Sequence, residues 1–193
     1  KFPTGAKRLN LDGVKGGCIN MGRTFYGKYR GTVVNNTDPE QRGRIQAIVP
    51  AVSNVVPTSW ALPCIPMAGK EQGVFMVLQI GASVWVEFEG GDPDKPIWVG
   101  GFWGTTALVP KMALAPPPIT PGQIILIETT LQNTLVLSDA TPSAATGGII
   151  LKSPTGAMIV VNDSGIYIQN GKGASITLVG NSVTINNGAL VVT

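Results

Sequence analysis

Asp38 and Glu40, two residues apart in "NNTDPEQRG" (35–43), are the residues of this chain best spaced for acid–base chemistry. Paired carboxylates can divide the roles of general acid and base when a cleft pushes their proton affinities apart. The intervening Pro39 argues for another role, because Asn, Asp, Pro and Gly are the residues that set tight turns. No companion nucleophile or base accompanies the pair. The chain has no histidine, which removes the commonest general base and the commonest transition-metal ligand. Two cysteines, Cys18 and Cys64, make neither a zinc site nor a disulfide framework, and they read as free thiols of a reducing compartment. The other acids of the first half, Glu87, Glu89, Asp92 and Asp94, fall on an alternating strand and the turn that follows it. No catalytic residue, metal ligand or cofactor site is expected, and the chain is not expected to be an enzyme.

Charge offers a second kind of chemistry. Residues 1–44 carry nine Lys/Arg against three acids, a net +6, whereas the rest carries five bases against eight acids, a net −3. A basic N-terminal region can meet nucleic acid or an acidic protein face. Residues 1–24, with Lys7, Arg8, Lys15 and Arg23, read as an extended arm facing a partner. Trp60, Trp85, Trp98 and Trp103 are expected mainly in packing. A base-stacking face is the sharper alternative, but these aromatics are not interleaved in sequence with Lys and Arg.

The elements that position these residues are short strands. Twenty-five glycines and fifteen prolines in 193 residues, with few helix signals, favour all-β architecture. Strand candidates run through "YGKYRGTVVNN" (26–36), "RIQAIVP" (44–50), "TSWALPCIPMAG" (58–69), "GASVWVEFEGG" (81–91) and "IWVGGFWG" (97–104). In the fourth, Val84, Val86 and Phe88 alternate with Trp85, Glu87 and Glu89. Five short strands over residues 25–104 suit a small OB-type barrel. Residues 105–123 hold five prolines, including Pro116–Pro118, and read as a semi-rigid linker.

From residue 124 the chain becomes a run of eight short strands with very few charges. Ile166/Ile168, Ile176/Leu178, Val183/Ile185 and Leu190/Val192 alternate with polar residues. The loose spacing resembles that of a β-solenoid. About seventy such residues would leave apolar faces and strand edges bare in a single chain, which invites pairing with identical copies. Three chains sharing one core satisfy the pattern, as a rod on the order of 40 Å long. Ile166, Ile168, Ile176, Leu178, Val183 and Ile185 are the expected core of that trimer. No stretch approaches the roughly 20 apolar residues of a membrane-spanning helix.

Several motifs in order resemble one known family. The first turn, through Val34, Asn36, Asp38, Pro39, Glu40, Gly43 and Arg44, the strand from Gly81 to Asp92, and the strand from Pro96 to Gly100 are similar to the OB-fold domain of phage baseplate assembly protein V and of VgrG-type spikes. The tail resembles the β-helix that follows it there. The resemblance covers residues 23–193. It implies an all-β protein: a five-stranded OB-fold barrel followed by an intertwined trimeric, β-solenoid-like spike. It implies a homotrimeric central spike of a contractile injection machine (a phage, a tailocin or a relative), assembled in the bacterial cytoplasm and placed in the baseplate. The arm of residues 1–24 would contact the hub. Asp38, Pro39, Glu40, Gly43 and Arg44 would set the collar turn. Residues 124–193 would form the needle that meets the target cell envelope. The end, Leu190, Val191, Val192 and Thr193, would bind a separate tip protein similar to PAAR-type caps. A lysozyme domain between barrel and needle, found in some relatives, does not fit the short linker. An OB-fold nucleic-acid-binding protein using the basic N-terminal region is the competing reading.

Overall fold

A computed structural model describes residues 23–114 and 123–192. The chain divides into two compact units, Lys1–Gly104 and Thr105–Thr193.

The first unit is a curled five-stranded sheet. Its strands are β1 (Tyr29–Asn35), β2 (Gln46–Ile48), β3 (Leu62–Pro63), β6 (Ser83–Phe88) and β7 (Pro96–Gly101), with β4 (Ala68–Gly69) and β5 (Gln72–Gly73) forming a separate small hairpin. The order is β2-β1-β6-β7-β3. All neighbours are antiparallel except β3 and β7, which are parallel. The sheet curls until its two ends meet at a bridge between Ile45 and Ala61, where each N–H donates to the other's carbonyl at 3.2 and 2.8 Å.

Period-two alternation explains which side is inside. Val84, Val86 and Phe88 are buried, while Trp85, Glu87 and Glu89 point away from the core. Phe25, Val33, Ile45, Ala47, Val49, Ala61 and Trp98 complete the core. Each fully buried Val or Ile contributes roughly 1.5–3 kcal/mol. Pro50 fixes the start of a single helical turn, α1 (Pro50–Ser53), at the end of β2.

The prolines of residues 58–69 shorten β3 to two residues, as their missing N–H groups require. Residues 74–80, "VFMVLQI", are apolar enough for a strand but form none. Val77 and Leu78 pack on the core, while Phe75, Met76 and Ile80 remain 75%, 56% and 60% exposed.

The second unit is one eight-stranded antiparallel meander in simple sequence order. Its strands are β8 (Ile124–Glu128), β9 (Thr134–Ser138), β10 (Gly148–Lys152), β11 (Ala157–Asn162), β12 (Gly165–Asn170), β13 (Ser175–Val179), β14 (Ser182–Ile185) and β15 (Leu190–Val192). The repeat that read as solenoid-like is thus carried, within one chain, by antiparallel neighbours rather than a parallel coil. The short turns dictate this, because a parallel crossover needs a dozen or more residues.

Asn162 anchors the longest connection. Its Nδ2 donates to the carbonyls of Ser143, Thr146 and Gly147 at 2.7, 2.9 and 3.1 Å. Gly148, at φ +76°, opens β10 beside this anchor. A Cβ there would lie 2.2 Å from the Val161 carbonyl oxygen, so only glycine fits.

Residues 105–114, the first part of the expected Pro-rich linker, carry local structure of their own. They form two 3-10 turns, Thr106–Leu108 and Lys111–Leu114. The second follows Pro110, whose fixed φ suits a helical start. Met112 packs on Val136, Ile150 and Val160, the buried hydrophobic cluster of the second unit. Residues 115–122 of that linker lie outside the described residues.

Candidate functional site

The turn between β1 and β2 is built around one carboxylate. The Gln41 N–H donates to the Asp38 carbonyl at 3.0 Å, closing a β-turn with Pro39 at its second position. Asp38 Oδ1 accepts the Glu40 N–H at 3.0 Å and the Arg44 Nε and Nη2 at 3.0 and 2.7 Å. Its Oδ2 accepts the N–H groups of Arg42 and Arg44 at 2.8 and 3.2 Å. The two side chains are only 4% and 10% exposed. The Arg44 guanidinium beside Asp38 holds its carboxyl well below the usual 3.8, helped by the three backbone N–H groups and opposed by desolvation. The same partner raises Arg44.

Glu40 braces this pair from outside, 2.9 Å from Arg44 and 2.7 Å from Arg42. The face of Trp60 lies 5.6 Å from the Arg44 guanidinium. Gly43, at φ +73°, turns the chain so that its carbonyl accepts the Trp98 indole N–H at 3.1 Å. All five residues of the predicted collar turn are therefore together, as one structural knot. Asp38 has both oxygens committed to donors, and a carboxylate so held is a poor general base.

Trp98→Phe tests the knot's tie to the barrel. It leaves the Gly43 carbonyl without its indole donor, at an expected cost of about 1–3 kcal/mol. The denaturant midpoint should fall with an unchanged m-value.

The tryptophans divide. Only Trp98 is in the core, and Trp103 is 63% exposed. Trp85 stacks with Phe102 at 4.7 Å on the outer face, with the Arg30 guanidinium 5.5 Å from one ring and 5.6 Å from the other. Sequence spacing hides this stack, since Arg30 meets Trp85 only through the β1–β6 register. Arg23 is exposed and lies 5.4 Å from the Phe25 ring. Lys7, Arg8 and Lys15 lie outside the described residues.

The largest feature is the bare side of the meander. Ile166 pairs with Leu178 and Ile168 with Ile176. Ile176 pairs with Ile185 and Leu178 with Val183. The register thus brings the six predicted core residues onto one face in two adjacent ladders. Leu190 and Val192 extend the same ladders from β15, although the sequence reading set them apart as a tip. Toward β8 the ladders continue through Ile159/Val161, Ile149/Leu151, Leu135/Leu137 and Ile125/Ile127.

Sequence reasoning missed this earlier half. Its strands are apolar on both sides, so alternation is masked there: the opposite face holds Leu126, Val136, Ile150 and Val160. Two aliphatic residues per strand over eight strands make one continuous surface, and most of them are more than a third exposed. Monomeric surfaces rarely carry so large an apolar patch. Five of these residues, Ile127, Leu135, Leu151, Ile159 and Ile168, line an open groove. Of the predicted tip, Leu190 and Val192 are 54% and 56% exposed, and Thr193 lies outside the described residues.

A curled β-sheet with a locked turn, joined in sequence to a sheet whose apolar face is uncovered, defines a structural protein built to associate. Residues 29–103 match the family described as the type VI secretion system/phage-baseplate injector OB domain. Residues 124–191 match the phage baseplate V C-terminal trimerisation domain. The chain belongs to the phage baseplate V family of spike-like proteins. It is a baseplate structural component of a phage or type VI injection particle, and its C-terminal domain is of the trimerising kind. No curated protein matches the chain.

Proposed function

We propose that this protein is the homotrimeric central spike of a contractile baseplate, linking hub and tube to the tip and piercing the target envelope when the sheath contracts. The observation that carries this reading is the uncovered double ladder of aliphatic residues on β8–β15. Three such sheets, each turning its ladders inward, would make a closed needle, with Ile166, Ile168, Ile176, Leu178, Val183 and Ile185 in its shared core. Burying the exposed remainder of each side chain gives roughly 1 kcal/mol apiece. Summed over three chains this is on the order of tens of kcal/mol, well above the cost of association. The role is mechanical and needs no catalytic group: a needle whose strands belong to three chains unfolds only if all three separate together.

The other assignments follow the same axis. The arm of residues 1–24, with Lys7, Arg8, Lys15 and Arg23, faces the hub. Asp38, Pro39, Glu40, Gly43 and Arg44 stiffen the collar. Leu190, Val191, Val192 and Thr193 end the needle beneath a separate PAAR-like tip protein. Assembly takes place in the bacterial cytoplasm, and contact with the target envelope is transient. Among the described residues no helix is long and apolar enough to cross a membrane.

The nucleic-acid reading is the weaker one. Arg44 is committed to Asp38, Arg42 to Glu40 and Lys28 to Glu87, so a phosphate would have to displace a carboxylate at each.

Light scattering should return three times the 20.1 kDa chain mass. The same species should survive SDS without boiling. A monomer by mass would overturn the spike.

A further inference from the structure

We infer that the exposed apolar shoulder of the OB unit, made by Leu62, Met67, Phe75, Met76 and Ile80, docks on the OB unit of a neighbouring copy of this chain. The inference rests on the trimeric reading above. These five residues are 42%, 50%, 75%, 56% and 60% exposed. They come from β3 and from the segment on either side of the β4–β5 hairpin, and no neighbour among the described residues of their own unit covers them.

The shoulder is held in shape. Val77 and Leu78 pack on the barrel core, and Asn36 Nδ2 donates to the Leu78 carbonyl at 3.0 Å. A Cβ built on Gly43 would lie 3.4 Å from the Phe75 ring, so this ring stands over the locked Asp38–Arg44 turn. A surface fixed in this way meets a partner without first being ordered, which lowers the cost of binding. Its composition suits an interface: Phe and Met are enriched in buried interface centres, and Met adapts to the contour it meets. The exposed Lys70 and Glu71 at the hairpin tip provide a polar rim.

The occupant follows from the rest of the chain. A trimerisation domain begins at residue 124, about twenty residues after the OB unit ends. The second unit follows the OB unit directly in sequence, so three copies joined at the trimerisation domain keep their OB units at an effective concentration on the order of millimolar. Even a weak contact is populated under those conditions, and identical units are its most concentrated candidates. A head-to-tail contact repeated by a three-fold axis closes into a ring and leaves no shoulder bare.

The test uses the full chain with a benzophenone side chain in place of Phe75. Irradiation of the purified trimer should join copies, with the cross-link mapping to residues 25–104 of the neighbour. With the probe moved to Ile80, adding Met76→Glu should lower that yield at least tenfold while the mass stays trimeric. A trimer without copy-to-copy cross-links would overturn the inference and leave the spike standing. So would cross-linking only to a different protein in assembled particles. A monomeric mass would overturn the trimeric reading itself and this docking with it.

Discussion

Ile168→Asp is expected to abolish the SDS-resistant trimer and leave a chain that sediments as a monomer or aggregates. Ile168 lies mid-ladder, paired with Ile159 on one side and Ile176 on the other. In a shared core each trimer would receive three such carboxylates, mutually close and far from water. A charge placed in an apolar core without a partner must shift its proton affinity or unfold the site. The neutral variant Ile168→Ala separates shape from charge. Core truncations of this kind cost about 2–5 kcal/mol each, and symmetry triples the effect per trimer. Thr184→Asp is the control. Thr184 pairs with Thr177 on the opposite face of the same sheet, half-buried and outside the ladders, so a carboxylate there keeps access to water and should leave the trimer standing. Equal loss of trimer from Ile168→Asp and Thr184→Asp would show that the ladder face is not the core.

Asp38→Asn is the second large effect, confined to the OB unit. The substitution keeps the shape and removes the charge that holds Arg44. It also turns an amide N–H₂ toward groups that are themselves donors. The nearly buried guanidinium is left without its main counter-charge, which is the costly way to break such a pair. Arg44→Lys should fail similarly, since an ammonium cannot reproduce the two-nitrogen grip on one carboxylate oxygen. Both variants should lower the unfolding midpoint of the OB unit and deprotect the amides of residues 38–48 in hydrogen exchange.

The pH dependence identifies the cause. Asp38 is depressed below its ordinary 3.8 in the folded state. Its stabilisation is therefore complete above that value and is lost as pH falls below it toward the depressed one. The gap between the parent and Asp38→Asn should be widest near neutrality and should close below about pH 4. A gap that stays constant down to pH 2 would mean the effect is steric and not ionic.

The two halves were legible in different degrees. The five strands of the barrel sheet showed because half-burial imposes alternation, as in Val84, Val86 and Phe88 against Trp85, Glu87 and Glu89. The Asp38 turn showed because Pro39 and Gly43 have few other uses. Residues 74–80 were not read as a strand and form none, and what sequence did not reveal there is that Val77 and Leu78 pack on the core while Phe75, Met76 and Ile80 stay exposed. The 3-10 turns of residues 106–114 were hidden behind prolines that read equally well as linker.

Local chemistry alone determined the all-β character, the turn knot and the apolar spacing of β12–β14. These depend on contacts between residues near in sequence, or on a period of two that any sheet face must obey. The tertiary structure decided what depends on register. It showed that Arg30 lies over both rings of the Trp85–Phe102 pair. It showed that Leu190 and Val192 belong to the same face as Ile166 and Ile168. It also showed that the ladder runs back to Ile125 and Ile127, through strands whose two apolar faces look alike in sequence. A one-residue slip in any hairpin would send those side chains to the other face, and only the folded sheet specifies which register is taken.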